Sequence, residues 1–311
     1  MVALFKAKGV FKIEKITPVH VLKLTFISIV KLMVMIISIC SIASLPYLLT
    51  SSKMEEAAVG FFPVNYVQEI AAALIGLLSF YDREETTFRG VHIDMGYMLE
   101  AYQYSMSILL MSLGIAFVVV LIFTYLYHLL TNRMKKFAKW ILVFLDCIPD
   151  VILILIFQLS VILLYKETGF KLLKLYGIGN DVYLLPVICL SITPTVLLLK
   201  ISLRIHDDEQ RKEYIDFALS KGLSRQYVFL IHVLRNIFFS ITNHVGLIYW
   251  MMLSGLIVIE YLFVIQGFTM ILYRANDSSI LAIAIMLFLI PYVLLQGVFS
   301  QINKRRVNDE N

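Results

Sequence analysis

Long apolar runs separated by short polar stretches organise this sequence. Six runs reach the roughly 20 mainly apolar residues that a helix needs to cross about 30 Å of hydrocarbon. They are Leu24–Leu49, Ser105–Leu130, Trp140–Tyr165, Leu184–Leu203, Ile237–Phe263 and Ile280–Phe299. A further run, Tyr66–Phe80, would rise only about 22 Å as a helix. It carries Glu69 and places Val67, Ile70, Leu74 and Leu77 on one stripe, which predicts a helix lying on the membrane surface. The expected layout is a tail over 1–23, a first span over 24–49, a loop with a surface helix over 50–104, a core over 105–304 and a tail over 305–311. One polar island interrupts the apolar second half, between spans four and five. It reads as two short helices with a turn at Gly222 and an N-cap at Ser224.

Charge then orients the spans. With both termini on one side, that side collects nineteen Lys and Arg against seven on the other, which predicts cytoplasmic termini and a cytoplasmic polar island. The first apolar run is too long for the removable core of a signal peptide, so a retained span is expected. The opposite side is acidic, with Glu55, Glu56, Glu69, Asp82, Glu84, Glu85, Asp94 and Glu100 in its first loop. The composition, 60% hydrophobic and 16% charged, places the chain in the membrane class. The net charge of +5 is dispersed beside apolar runs, so it reads as orientation signal and not as a nucleic-acid surface. Cys40, Cys147 and Cys189 all sit in apolar runs at spacings that suit neither a disulfide framework nor a zinc site, which leaves them as small interior residues.

Candidate chemistry is sparse. No G-x-x-x-x-G-K-[ST], G-x-S-x-G or H-E-x-x-H occurs, and the six histidines are scattered, so a non-enzymatic chain is expected. Ionisable groups at membrane depth mark function. Asp146 and Asp150 flank Pro149, four residues apart on one face of the third predicted span. Glu260 lies near the outer end of span five, where it can reach water as a helix-terminal or gate contact. An ion- or proton-coupled carrier or channel using these three carboxylates is therefore one reading, and an intramembrane hydrolase a remoter one.

Taken alone, the polar island also has the outline of a DNA-binding helix-turn-helix, but its short tethers to two spans suit force transmission better. Asp216-Phe217-Ala218-x-x-x-Gly222 resembles the E-A-A-x-x-x-G signature of binding-protein-dependent ABC transporter permeases. Tyr214, Ile215, Ala218, Lys221, Gly222, Leu223, Ser224, His232, Leu234, Arg235 and Asn236 match the pattern of the oligopeptide/dipeptide/nickel branch. Leu185-Pro186 before the motif, and Val258-x-Glu260-x-x-Phe263-x-x-Gln266-Gly267 after it, continue the resemblance from about Leu184 to the end. The family proline is replaced by Gln266 and its second glycine by Thr269. The first half is similar in hydropathy and span order only.

The resemblance implies an all-α polytopic membrane protein of six transmembrane helices, like a type I ABC importer permease, with a cytoplasmic coupling helix over 212–222. It implies a bacterial plasma-membrane subunit that works with a second permease, two ABC ATPases and an extracellular substrate-binding lipoprotein. The chain itself would hold no cofactor, ATP and magnesium belonging to the ATPases, and would bind lipid bilayer but no nucleic acid. Tyr214, Asp216, Phe217, Ala218, Lys221, Gly222 and Leu223 would form the ATPase contact, with Ser224, His232, Arg235 and Asn236 supporting it. Asp146, Asp150, Glu260 and Gly267 remain candidates for the pathway or its gate. Peptides are the branch's default substrate.

Overall fold

The computed structural model describes residues 18–51, 58–78, 86–88, 91–93, 95–169, 182–274 and 277–310. Of the acidic loop residues, Glu55, Glu56, Asp82, Glu84, Glu85 and Asp94 lie outside this set, as does most of the N-terminal tail. The described chain is helical apart from two small antiparallel ladders. These are β1 (Thr50–Ser51) with β2 (Ala58–Val59), and β3 (Thr86–Phe88) with β4 (Val91–Ile93).

One compact unit comprises the described residues 18–51, 58–78 and 277–283. It contains α1 (Pro18–Ala43), the single turn α2 (Pro46–Leu49) and α3 (Pro63–Leu78). Cys40, Ala43 and Ser44 on α1 and its end, with Ala73 on α3, are almost wholly buried; small residues let helix backbones approach closely. A short side-chain bond between Ser41 and Tyr66 links α1 to α3, and Ser278 donates to Glu69 at 3.3 Å. The predicted surface stripe is only partly covered, since Val67 remains exposed.

The second unit, drawn from the described residues 86–274 and 284–310, holds the remaining helices. These are α4 (Met95–Leu129), α5 (Asn132–Asp146), α6 (Asp150–Thr168), α7 (Leu184–Glu209), α8 (Glu213–Ser220), α9 (Arg225–Val228), α10 (Leu234–Thr242), α11 (Val245–Leu262), α12 (Phe268–Arg274) and most of α13 (Ser278–Glu310). Among the described residues, the contact between α4 and α7 is the most extensive between two helices. Ser105, Leu109, Ser112, Ala116, Val120, Thr124 and Tyr127 recur every three or four residues on α4 and are buried. Hydroxyls on this stripe bridge the two helices. Ser112 reaches the Val187 carbonyl at 3.1 Å, and Thr124 bonds Ser202.

Among the described residues, five helices are long and apolar enough to cross a bilayer: Gly96–Leu129, Asp150–Thr168, Leu184–Glu209, Val245–Leu262 and Ser278–Ile302. The helix α1 adds a sixth apolar helix, with Ile29–Ala43 as its apolar stretch. The third predicted span is not one helix. Pro149 has extended backbone at ψ 139°, so α5 stops at Asp146 and α6 begins afresh at Asp150. Proline lacks the amide donor a continuous helix would need here and disfavours helical geometry in the residue before it. Asp146 and Asp150 consequently do not share a helical face. The fifth predicted span is likewise divided, at Asn243 and His244, into α10 and α11. Cys147 is exposed at the break, whereas Cys40 and Cys189 are buried as expected.

Candidate functional site

Between α7 and α10 the chain reverses through α8. Ile215 and Ala218 point inward and are buried, whereas Asp216, Ser220 and Lys221 are exposed and Phe217 leaves 61% of its surface free. The helix ends where Gly222 adopts φ +83°. There the Gly222 amide donates to the Leu219 carbonyl at 2.9 Å and the Leu223 amide to Ala218 at 3.3 Å, satisfying carbonyls that a helix end orphans. The space around Gly222 is open, so the glycine is required by the backbone alone. Ser224 then caps α9, its hydroxyl accepting the Tyr227 amide at 3.3 Å. Phe229, Val233, Ile237 and Ile241 are all buried at spacings of four. A wide π turn over Phe229–Val233 keeps that spacing on one face, where an ordinary helix would let it drift.

A carboxylate that no sequence pattern singles out seats α8. Glu209, buried at the end of α7, accepts the Lys212 ammonium at 2.5 Å, the Tyr214 hydroxyl at 2.6 Å and the Asn236 amide at 3.3 Å. It therefore joins the start of α8 to the returning helix α10. Three of the residues matched to the family motif acquire local roles in this way. Tyr214 turns its hydroxyl inward, Asn236 holds the same carboxylate, and Ala218 is small because it faces its own chain. His232 sets its ring edge-on to Tyr214 at 6.3 Å, and Arg235 lies over Phe239 at 5.8 Å. The outward surface consists of Asp216, Phe217, Lys221 and Leu223, and the Lys221 ammonium sits 4.3 Å above the Phe217 ring.

A second polar cluster ties the returning segment to the long helices. The rings of His128 and His206 bond at 3.2 Å, and His206 bonds Asp207 at 3.1 Å. The His128 ring stacks on Phe229 at 4.2 Å. Asp207 also accepts Lys139 from α5 at 2.5 Å, a bond that holds that ammonium above the usual lysine range.

The pathway candidates lie in three different settings. Asp146 is exposed and pairs with Lys200 at 2.6 Å. Asp150 opens α6 beside a gap of about 20 Å³, room for about one water, between Ile154, Thr193, Pro194, Met252 and Gly255. Glu260 does not reach water; it is fully buried. Ser105 donates to its Oε1, and the amide and hydroxyl of Thr269 donate to its Oε2 at 3.0 and 2.5 Å. The Phe268 amide in turn donates to the Ser105 hydroxyl at 2.7 Å. Glu260 is thus a clasp that folds the α11–α12 turn back onto α4, which no local pattern announces. Gly267 belongs to the same clasp, because a Cβ there would overlap the Glu260 carboxyl. Thr269, which departs from the family glycine, supplies two of the three donors.

The turn below the clasp is strained. Val264, β-branched and half-exposed, has φ +53°, a left-handed conformation that costs such residues about 1–2 kcal/mol. Val264→Gly is expected to raise the melting temperature of the purified chain by about 1–3 °C. An unchanged or lower value would show that the turn carries no such strain.

A family model described as "Binding-protein-dependent transport system inner membrane component" matches residues 131–308. The chain is also similar to the glutathione transport system permease protein GsiC of Escherichia coli (strain K12) and of Shigella flexneri serotype 5b (strain 8401). Identity to each is 27% over 119 residues, covering 37% of this chain and 39% of the relative. The matched segment thus spans about two fifths of the length of these relatives.

Proposed function

Because the chain belongs to the binding-protein-dependent inner membrane component family, the permease subunits of ABC importers, we propose that α8 is its ATPase-coupling helix and small peptides its cargo. The observation that carries this reading is the division of α8. One side is fastened to Glu209 and buried through Ile215 and Ala218, while the other presents Phe217 braced by Lys221. A helix seated in this way moves with α7 and α10, so a partner that grips Phe217 can move those helices as rigid bodies. The chain has no phosphate-binding loop of the Walker type, so ATP and magnesium would be held by the partner ATPases.

In this reading α8 and both termini are cytoplasmic, as the nineteen-to-seven distribution of basic residues favours. A second permease would complete the pathway, and two ATPases and an extracellular binding lipoprotein would complete the importer. The helix α6 suits the permease–permease contact, since only Ile154 and Gln158 on it are buried. The small-peptide assignment rests on relatives named for transport of glutathione, itself a tripeptide. Asp146, Asp150, Glu260 and Gly267 support the pathway walls or their turns in this scheme, without forming a proton relay.

Phe217→Ala tests the coupling helix. A buried aromatic anchor at an interface is worth about 2 kcal/mol, so capture of the ATPase should weaken roughly 30-fold and peptide uptake should fall with it. Membrane insertion and melting of the permease should stay unchanged, because the side chain is exposed in the isolated chain. Wild-type capture by the variant would reject α8 as the docking element.

A further inference from the structure

We propose that the groove between α5 and α7 is a binding site for one anionic phospholipid of the leaflet on the α8 side, which rests on the membrane placement given above. The groove has two connected parts. An apolar cavity of about 500 Å³ lies between α4, α5 and α7, with Phe123, Leu126, Ile141, Leu145 and Leu199 among its walls. A basic pocket of about 450 Å³ adjoins it, and Leu142 and Leu203 line both. Together they have the form of an acyl chamber with a headgroup site at its mouth.

The chemistry of each part selects the occupant. Hydroxyls in the apolar part are already engaged: Ser191 donates to Ile188 at 2.8 Å, and Thr195 donates to Ser191 at 2.6 Å. A peptide backbone placed there would leave its amides and carbonyls unsatisfied, whereas hydrocarbon asks for nothing. In the basic part, Lys139 and Lys200 have their own carboxylates in Asp207 and Asp146. Arg204 and Arg211 form no ion pair among the described residues and are exposed. Both line the pocket, Arg204 on α7 and Arg211 two residues past its end; they outnumber the exposed Asp208 carboxylate that shares the lining, so two guanidinium groups can bracket a phosphate there.

The form of α5 gives independent support. It carries Arg133, Lys135, Lys136 and Lys139 alongside Phe137, Trp140 and Phe144, and no residue of it is buried. Its aromatic rings stack in a row, with centroids 6.2 and 6.0 Å apart. Such a basic, aromatic, amphipathic helix belongs at the headgroup boundary, where it would roof the acyl chamber.

The test uses the full chain, reconstituted in nanodiscs of phosphatidylglycerol or phosphatidylcholine and then extracted into mild detergent. Retained phospholipid is counted per chain. About one phosphatidylglycerol should remain, with phosphatidylcholine lost. Arg204→Gln should weaken retention about 5-fold, and the pair Arg204→Gln with Arg211→Gln about 30-fold. Leu142→Trp, which fills the junction of the two parts, should abolish it. Arg133→Gln with Lys136→Gln, basic positions outside the pocket, should leave it intact. Equal retention of both lipids, or retention indifferent to the arginine pair and to Leu142→Trp, overturns the proposal. Loss of the lipid on assembly with a second permease would also overturn it, by making that subunit the occupant. Because retention is read without any ATPase, its outcome is independent of whether α8 couples.

Discussion

Glu260→Ala is expected to lower the melting temperature of the purified chain by about 6 °C, and Glu260→Gln by about half as much. The buried carboxylate takes three donors, from the Ser105 hydroxyl and from the amide and hydroxyl of Thr269. Alanine leaves all three without this acceptor, and each buried donor so stranded costs about 1–3 kcal/mol. About 4 kcal/mol in total corresponds to roughly 6 °C for a chain of this size. Glutamine keeps one acceptor oxygen but must aim its NH₂ group at a donor on the other side, so its loss is smaller. Gly267→Ala is a second probe of the same clasp, since its methyl would overlap the carboxyl. Combined with Glu260→Ala, that methyl would enter the vacated space, and the double variant should lose less than the two single losses together. Full additivity, or a glutamine variant that melts with wild type, would rule out the clasp.

What the sequence exposed and what it concealed follow one physical division. Features encoded by residues close together were legible. Gly222 has the left-handed φ of +83° expected of a helix-ending glycine, and Ser224 caps the next helix. Apolar runs likewise located the long helices, because hydropathy averages over about 20 neighbours. The same averaging hid their ends. The first turns of α4, where Glu100 and Gln103 interrupt the apolar residues, and the charged last turns of α13, to Glu310, are helical without being continuously apolar. It also ran across Pro149, where a single residue overrides the apolar pattern on both sides.

The residues that depend on distant partners were misplaced or missed. Glu260 is near the end of its helix, so proximity to water was the local inference, yet Thr269 and Ser105 close over it. Glu209 sits among Asp207, Asp208 and Glu213 with nothing local to distinguish it. Its partner Asn236 is 27 residues further on, brought back by the Gly222 turn and the π turn. Asn236 had been matched to the family motif, and the structure supplies a physical reason for an amide at that position.

Glu209→Ala should therefore uncouple this chain more thoroughly than any change on the exposed face of α8, without emptying the membrane of it. Hydrogen bonds to a charged group are worth about 1.5–3 kcal/mol each, and Glu209 makes one with Lys212, one with Tyr214 and one with Asn236. Lys212 is half-exposed, so its contribution is screened; the two neutral donors set the scale. Removing about 3 kcal/mol, the low end for two such bonds, shifts the seated population relative to an unseated one by roughly 150-fold. Peptide uptake should drop accordingly. ATPase capture should weaken less, because Phe217 remains on the surface of the loosened helix. This split distinguishes seating from docking: Phe217→Ala lowers capture and uptake together, whereas Glu209→Ala lowers uptake first. Glu209→Asp, one methylene shorter and unable to span Tyr214 and Asn236 at once, should fall between alanine and wild type. Asp208→Asn, at an exposed neighbour, should leave both readouts unchanged. Equal losses of capture and uptake in Glu209→Ala would mean that the carboxylate acts at the partner surface, and wild-type uptake would mean that α8 transmits nothing through it.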